Sequence, residues 1–305
     1  MSRRKNGRDL HGMLLLDKSP GMSSNGAVQR VKRLFQANKV GHTGSLDPIA
    51  TGLLPLCLGE ATKLSGFLLN TDKRYFTRVR LGRTTTTADI EGETLEEKPV
   101  PPLDEALIEA ALQPFRGEIE QMPPMYSALK HQGRKLYELA RKGVEVERVP
   151  RKINIYELRL AEYGEDYLDL DVHCSKGTYI RVLAEEVGAA LGCGGYVEQL
   201  RRTAVGSFTL AQSVRFEDLE TLDDAARLAW LLPVSAIAEE LPAFSLSADV
   251  AFFLRRGQPV FAPNAPASGL LRLFTRDGAF LGVGEVTDDG LIAPRRLAKE
   301  PVKEG

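Results

Sequence analysis

The chain has 305 residues, 43% of them hydrophobic, and a formal net charge of −1. This length can bury a sizeable core, arranged as one large domain with a smaller one or as two medium ones, and no long low-complexity tract or internal repeat interrupts it. The apolar stretch from Met13 to Leu16 is far too short for a secretory h-region or a membrane span, so a cytoplasmic protein without membrane association is expected.

Three cysteines, Cys57, Cys174 and Cys193, are an odd number in a long chain, and free buried thiols are expected. With four histidines and no CxxC or HxxxH spacing, no metal site is expected. The near-neutral total hides a polarised distribution. Met1 to His42 carries nine Lys or Arg against Asp9 and Asp17, whereas Thr84 to Glu109 carries eight carboxylates against Lys98, and Glu217 to Glu240 carries seven against Arg227. Such a chain can present a phosphate-binding face and stay near neutral overall.

In chain order, the LLLD strand leads to Ser23 or Ser24, either a good N-cap for a helix in which Val28, Val31, Leu34 and Phe35 share one face. Val40 to Lys63 then places one carboxylate, Asp47, in a polar Gly-rich turn immediately before a long apolar run. A carboxylate in a stiff loop at the edge of a core can be partly desolvated and so become reactive; an Asp-Pro step in such a loop also simply initiates a turn. YFTRVRLG alternates as a strand and ends in a turn containing Asp89, and Leu103 to Phe115 has helical periodicity closed by Pro114. Residues 121–152 read as an inserted element with a short helix around Lys135 to Arg141 and eight Lys or Arg over three Glu between Tyr126 and Lys152. Ile153 to Arg159 and Tyr167 to Cys174 read as strands, and Tyr179 to Leu191 as a helix. After Pro242 the texture becomes short apolar strands punctuated by Asp277-Gly278 and Asp289-Gly290, a pair of hairpin signals in one small β-rich unit.

The words GHTGSLDP and ATGLLPLCLGEATK around Asp47 resemble the signature of the TruB family of transfer-RNA pseudouridine synthases. The resemblance continues in order through LLLDKSPGMSSN (from Leu14), KRYFTRVRLGRTTTTADIEGE (from Lys73), PPMYSALKHQGRKLYELARKG (from Pro123), CSKGTYIRVLAEEVG (from Cys174) and LRRTAVGSF (from Leu200), and it is thinnest between Arg215 and Leu241. It implies a mixed α/β (α+β) catalytic domain over residues 1–241, with a largely antiparallel central sheet and an RNA-gripping thumb at about 121–152. A small PUA-like β-barrel over 242–305 would follow.

The implied reaction is isomerisation of uridine to pseudouridine at position 55 in the T loop of tRNA, by a monomer working without cofactor, metal or guide RNA. Guide-dependent or ribosomal-RNA-directed synthesis, and tRNA chaperoning, stand as alternatives. The resemblance maps the catalytic carboxylate onto Asp47, its guanidinium partner, expected to bind it bidentately, onto Arg181, and the base-stacking tyrosine onto Tyr75. Tyr179 and Leu200 match positions lining the same pocket, and His42 matches a residue near the everted nucleotides. Lys18, Asp89 and Lys130 are motif-borne candidates for supporting the site or contacting phosphate.

Overall fold

The computed structural model describes residues 7–127, 129–140 and 142–302. The elements that position the site begin with β1 (Gly12–Lys18), α1 (Ser24–Leu34), β2 (Val40–His42), β3 (Thr51–Leu58) and β4 (Lys73–Leu81). There follow α2 (Glu105–Leu112), β5 (Gly117–Gln121), β6 (Arg151–Tyr163), β7 (Tyr167–Cys174), α3 (Ile180–Ala190), β8 (Gly195–Val205) and β9 (Val214–Arg215). The C-terminal region adds β10 (Ala243–Leu246), α4 (Ala248–Arg255), β11 (Gly269–Thr275), β12 (Phe280–Val286) and β13 (Ile292–Val302). These elements fall into two compact units, one comprising residues 1–46, 54–70 and 211–305, the other 47–53 and 71–210.

In the second unit the strands run in the order β3-β8-β4-β7-β6-β5. β8 meets β3 in parallel, and every other pairing in this set is antiparallel. The expected mixed, largely antiparallel sheet is therefore present. Ile153, Ile155 and Leu158 on β6, with Leu168, Leu170 and Val172 on β7, supply buried apolar side chains to its core. The helix expected over Leu103 to Phe115 is α2 followed by a 3₁₀ turn through Phe115, because Pro114 cannot continue an α-helical ladder. In the inserted element, Lys130–His131 pairs with Arg134–Lys135 as a small hairpin leading to the helix Leu136–Ala140. Arg141 lies outside the described residues.

In the first unit, β9 pairs in parallel with β1, and β2 pairs antiparallel with the second half of β3. Met13 to Leu16 are all buried, which explains their unbroken apolar run. The C-terminal strands form an open sheet in the order β10-β11-β12-β13, extended by a bridge between Val260 and Ile292. A closed barrel was expected here. Among the described residues no ladder joins β10 to β13, and α4 covers the space between β10 and β11 in sequence, with Ala251 and Leu254 in the core. Both foreseen hairpins are present: Gly278 and Gly290 adopt φ of 86° and 77° in the turns after β11 and β12. All three cysteines are free and buried.

Candidate active site

The loop before Asp47 is fastened at its last residue. Ser24 Oγ donates to the Leu46 carbonyl at 2.9 Å and accepts from the Leu46 N–H at 2.7 Å, while Ser23 performs the helix capping by accepting from the Gly26 N–H at 3.0 Å. The adjacent serines thus divide two tasks that sequence alone leaves open. Asp47 then starts a turn that closes with the Ala50 N–H on its carbonyl at 3.1 Å. Its own side chain remains 41% exposed.

Arg181, in the first turn of α3, is nearly enclosed, with 5% of its side chain exposed. Its Nε lies 2.9 Å from Asp47 Oδ2 and 3.7 Å from Asp89 Oδ2. Nη1 donates to the Thr87 carbonyl at 2.8 Å and Nη2 to the Tyr126 carbonyl at 2.7 Å. The expected bidentate bond is therefore replaced by a single-nitrogen contact to Asp47, because the guanidinium's other two nitrogens are claimed by two loops. Its cost of burial is offset by carboxylates and carbonyls together, and its orientation is fixed on three sides.

Asp89 occupies a different position. Its Oδ1 accepts from Thr87 Oγ1 at 2.5 Å and from the Glu91 N–H at 3.1 Å, and its side chain is buried. One oxygen thus organises its own turn and the other faces Arg181. Asp47 is the partner left open to a substrate.

Tyr75 on β4 and Tyr179 at the start of α3 both lie within the electrostatic reach of Asp47. Burial pushes the Tyr75 phenol above its ordinary value, Arg202 pulls in the opposite direction, and the Asp47 charge adds to the rise. Burial likewise raises Tyr179, with Asp47 again contributing. Both phenols are therefore hydrogen-bond donors at neutral pH. Leu200 is buried on β8 opposite Thr77, where its carbonyl accepts from Thr51 Oγ1 at 3.4 Å.

The remaining predicted positions have other surroundings. His42 is half-buried on β2, and its Nδ1 accepts from the Gly44 N–H at 3.3 Å. Lys18 is 1% exposed and donates to the carbonyls of Ser19 and Met22 at 3.0 and 2.7 Å. It holds the turn that follows β1 through these two bonds. Lys130 sits in the small hairpin of the inserted element; its side chain lies outside the described residues.

Two residues with direct roles in this geometry were missed from sequence. Gln121, buried at the end of β5, accepts the Tyr179 N–H at 2.7 Å and donates to the Tyr179 carbonyl at 3.1 Å. Arg202, 2% exposed on β8, stands opposite both Tyr75 and Gly52 and donates from Nε to the Leu53 carbonyl at 2.7 Å. Gly52 has φ of 97°, and a Cβ there would lie 2.3 Å from the Arg202 carbonyl oxygen. The available signal was a pair of arginines inside an otherwise strand-like word, LRRTAV.

A half-open carboxylate held by an enclosed arginine, with two phenols within its electrostatic reach, has the make-up of a carboxylate-centred catalytic site. Comparison with known proteins gives this class a family. The model of the TruB family pseudouridylate synthase N-terminal domain matches residues 32–180, and models of two TruB C-terminal domains match 181–237 and 242–298. The chain is 56% identical over 298 residues to a protein of Nitrosococcus oceani named tRNA pseudouridine synthase B, covering 97% of each chain. A protein of the same name from Chromohalobacter salexigens is 54% identical over 299 residues, again covering 97% of each. In fold, the chain resembles a protein in the crystal structure of a Cbf5-Nop10-Gar1 complex, with a TM-score of 0.73 and 24% identity over 95% of this chain and 85% of that one. The chain belongs to the TruB family of pseudouridylate synthases.

Proposed function

We propose that this enzyme isomerises uridine to pseudouridine at position 55 in the T loop of tRNA, acting alone as a cytoplasmic monomer without cofactor or guide RNA. The names carried by its nearly full-length relatives support a tRNA substrate. The reaction breaks the N1–C1′ bond, turns the base and joins C5 to C1′; C5 loses a proton and N1 gains one, so no redox partner is required. Asp47 is the catalytic carboxylate in this reading, acting at the sugar as nucleophile, base or electrostatic support. Tyr75 stacks on the everted base, Tyr179 and Leu200 line its pocket, and His42 fills space beside the displaced nucleotides.

The single observation that carries the proposal is the half-exposed Asp47 carboxylate held 2.9 Å from the enclosed Arg181 Nε. A site so fixed needs little rearrangement to meet positive charge developing at C1′. Residues 1–241 form the catalytic part of this reading, with 121–152 as its thumb, and 242–305 form an RNA-binding module that grips phosphates and shape. The test incubates the protein with an unmodified tRNA transcript and maps pseudouridine. Wild type converts the T-loop uridine, whereas Asp47→Asn binds the transcript and makes no product, since the amide keeps the shape and removes the charge. Comparable product from Asp47→Asn would remove Asp47 from its role.

A further inference from the structure

Ser127 lies in the inserted element with 5% of its surface exposed, and its Oγ is a buried polar atom without a hydrogen-bond partner among the described residues. The backbone of the same residue is fully used: its N–H donates to the Met125 carbonyl at 2.9 Å, and its carbonyl accepts from the Tyr137 N–H at 3.1 Å. Only the hydroxyl is left over. A buried hydroxyl in this state costs the free protein stability, and the cost is recovered when a ligand supplies the missing partner.

The surroundings indicate what that ligand is. Ser127 follows Tyr126, whose carbonyl takes Arg181 Nη2 at 2.7 Å, so it stands at the edge of the Asp47 site. Gln121 binds both backbone groups of Tyr179, and Arg151 lies directly opposite Gln121 in the pairing of β5 with β6, which puts the exposed arginine on the same face of the sheet. Burial raises the Tyr179 phenol, and the Ser127 hydroxyl and the Arg151 charge oppose that rise, so both lie near it, although no Ser127–Tyr179 hydrogen bond is made. The two roots of the inserted element thus bring two hydroxyls able to donate and one guanidinium to the same place. A neutral base oxygen needs no cation, whereas this set suits an anion with several acceptor sites. We infer that Ser127 and Arg151, with the Tyr179 hydroxyl, hold one phosphate of the RNA backbone next to the everted uridine. Arg151 meets its charge at the exposed side, and Ser127 donates to a non-bridging oxygen further in. With that phosphate pinned, the turned-out sugar presents C1′ to Asp47. This inference rests on the reading of the site as a uridine isomerase acting on tRNA.

The experiment follows single-turnover pseudouridine formation on a tRNA transcript over a range of enzyme concentrations, with a urea titration of each variant. Ser127→Ala lowers the ratio of saturating rate to half-saturating concentration about tenfold, while its urea midpoint stays the same or rises because an unpaired buried hydroxyl is gone. Arg151→Gln lowers the same ratio by about threefold or more. It also reduces the slope of log binding constant against log salt by about 0.7, the share of one phosphate contact on single-stranded RNA, and Ser127→Ala leaves that slope unchanged. Because both side chains hold one group, the two changes together cost less than the product of the separate losses. An unaltered ratio in Ser127→Ala would overturn the proposal, as would a loss accompanied by a lower urea midpoint, which would assign the hydroxyl to folding. An unchanged salt slope in Arg151→Gln, or losses that simply multiply, would show that no phosphate is shared and would overturn it equally. Failure of the wild-type protein to form pseudouridine is a separate result, and it would sink the isomerase reading instead.

Discussion

Arg181 shows how much a single side chain decides here. Its three nitrogens serve Asp47, Asp89 and two backbone carbonyls in different loops. A lysine offers three donors on one atom and cannot span that set. Arg181→Lys is therefore expected to lower the single-turnover rate by about 10²-fold or more, with tRNA affinity little changed because phosphates supply most of the binding. A rate within a few fold of wild type would show that charge alone is sufficient. Lys73 gives a second test at this scale. Burial, followed by the neighbouring Arg202 charge, brings its ammonium from 10.5 down to about 8. Folding therefore penalises the charged form, fully below pH 8 and less and less as pH rises towards 10.5. Lys73→Met should raise stability at pH 7 by on the order of 1–3 kcal/mol, and urea titrations should show this gain shrinking by pH 10. A constant difference across that range would assign the effect to packing.

At the scale of elements, the site depends on where α3 begins. No side chain caps this helix; Tyr179 precedes it in an extended conformation, and the Gln121 amide binds both of its backbone groups. β5 thus fixes the first turn that carries Arg181, and Tyr126 of the inserted element fixes the arginine's far end. Gln121→Leu leaves two backbone groups without that partner and should cost about 1–3 kcal/mol in unfolding free energy. Its larger effect should be on rate and not on tRNA affinity; a loss confined to affinity would contradict the coupling. These dependencies also mark the limit of what the sequence shows. Asp47, Tyr75 and Arg181 were legible because their motif words carry chemical groups in recognisable order. Gln121 is a neutral amide at a strand end, and Arg202 is a charged side chain on the buried side of β8, where it alternates with Leu200 and Ala204. Lys18 ends β1, and its ammonium donates to carbonyls of the turn that follows it.

On the scale of the whole molecule, the change of texture at Pro242 marks where a new kind of chain begins, but it does not reveal packing partners. The C-terminal sheet has its own apolar cluster around Leu254, Leu271, Leu273 and Ile292, yet it belongs to the same compact unit as residues 1–46 and 54–70. Within that unit the Lys299 N–H donates to Glu60 Oε2 at 2.5 Å. Burial alone would raise the Glu60 carboxyl; its bonds from Lys63 and the Lys299 backbone bring it below its ordinary value, so this tie weakens as pH falls through the acid range. The outer surface has a different character. Phe252, Phe253 and Phe261 are exposed, and Arg256 lies over the Phe252 ring at 3.4 Å from its centroid, a combination suited to unpaired bases and phosphates. Deleting residues 242–305 should therefore do two separable things. It should lower the urea midpoint, because the first unit loses a packed face, and it should weaken tRNA binding by about tenfold or more. The single-turnover rate at saturating enzyme should fall much less, because Asp47, Arg181, Asp89 and Tyr75 all belong to the second unit. Filter binding and product mapping on the same preparation distinguish these effects. A deleted protein that binds tRNA as tightly as the full chain would leave the module a stabilising role only, whereas one that binds but does not react would show that the second unit needs the C-terminal sheet for chemistry.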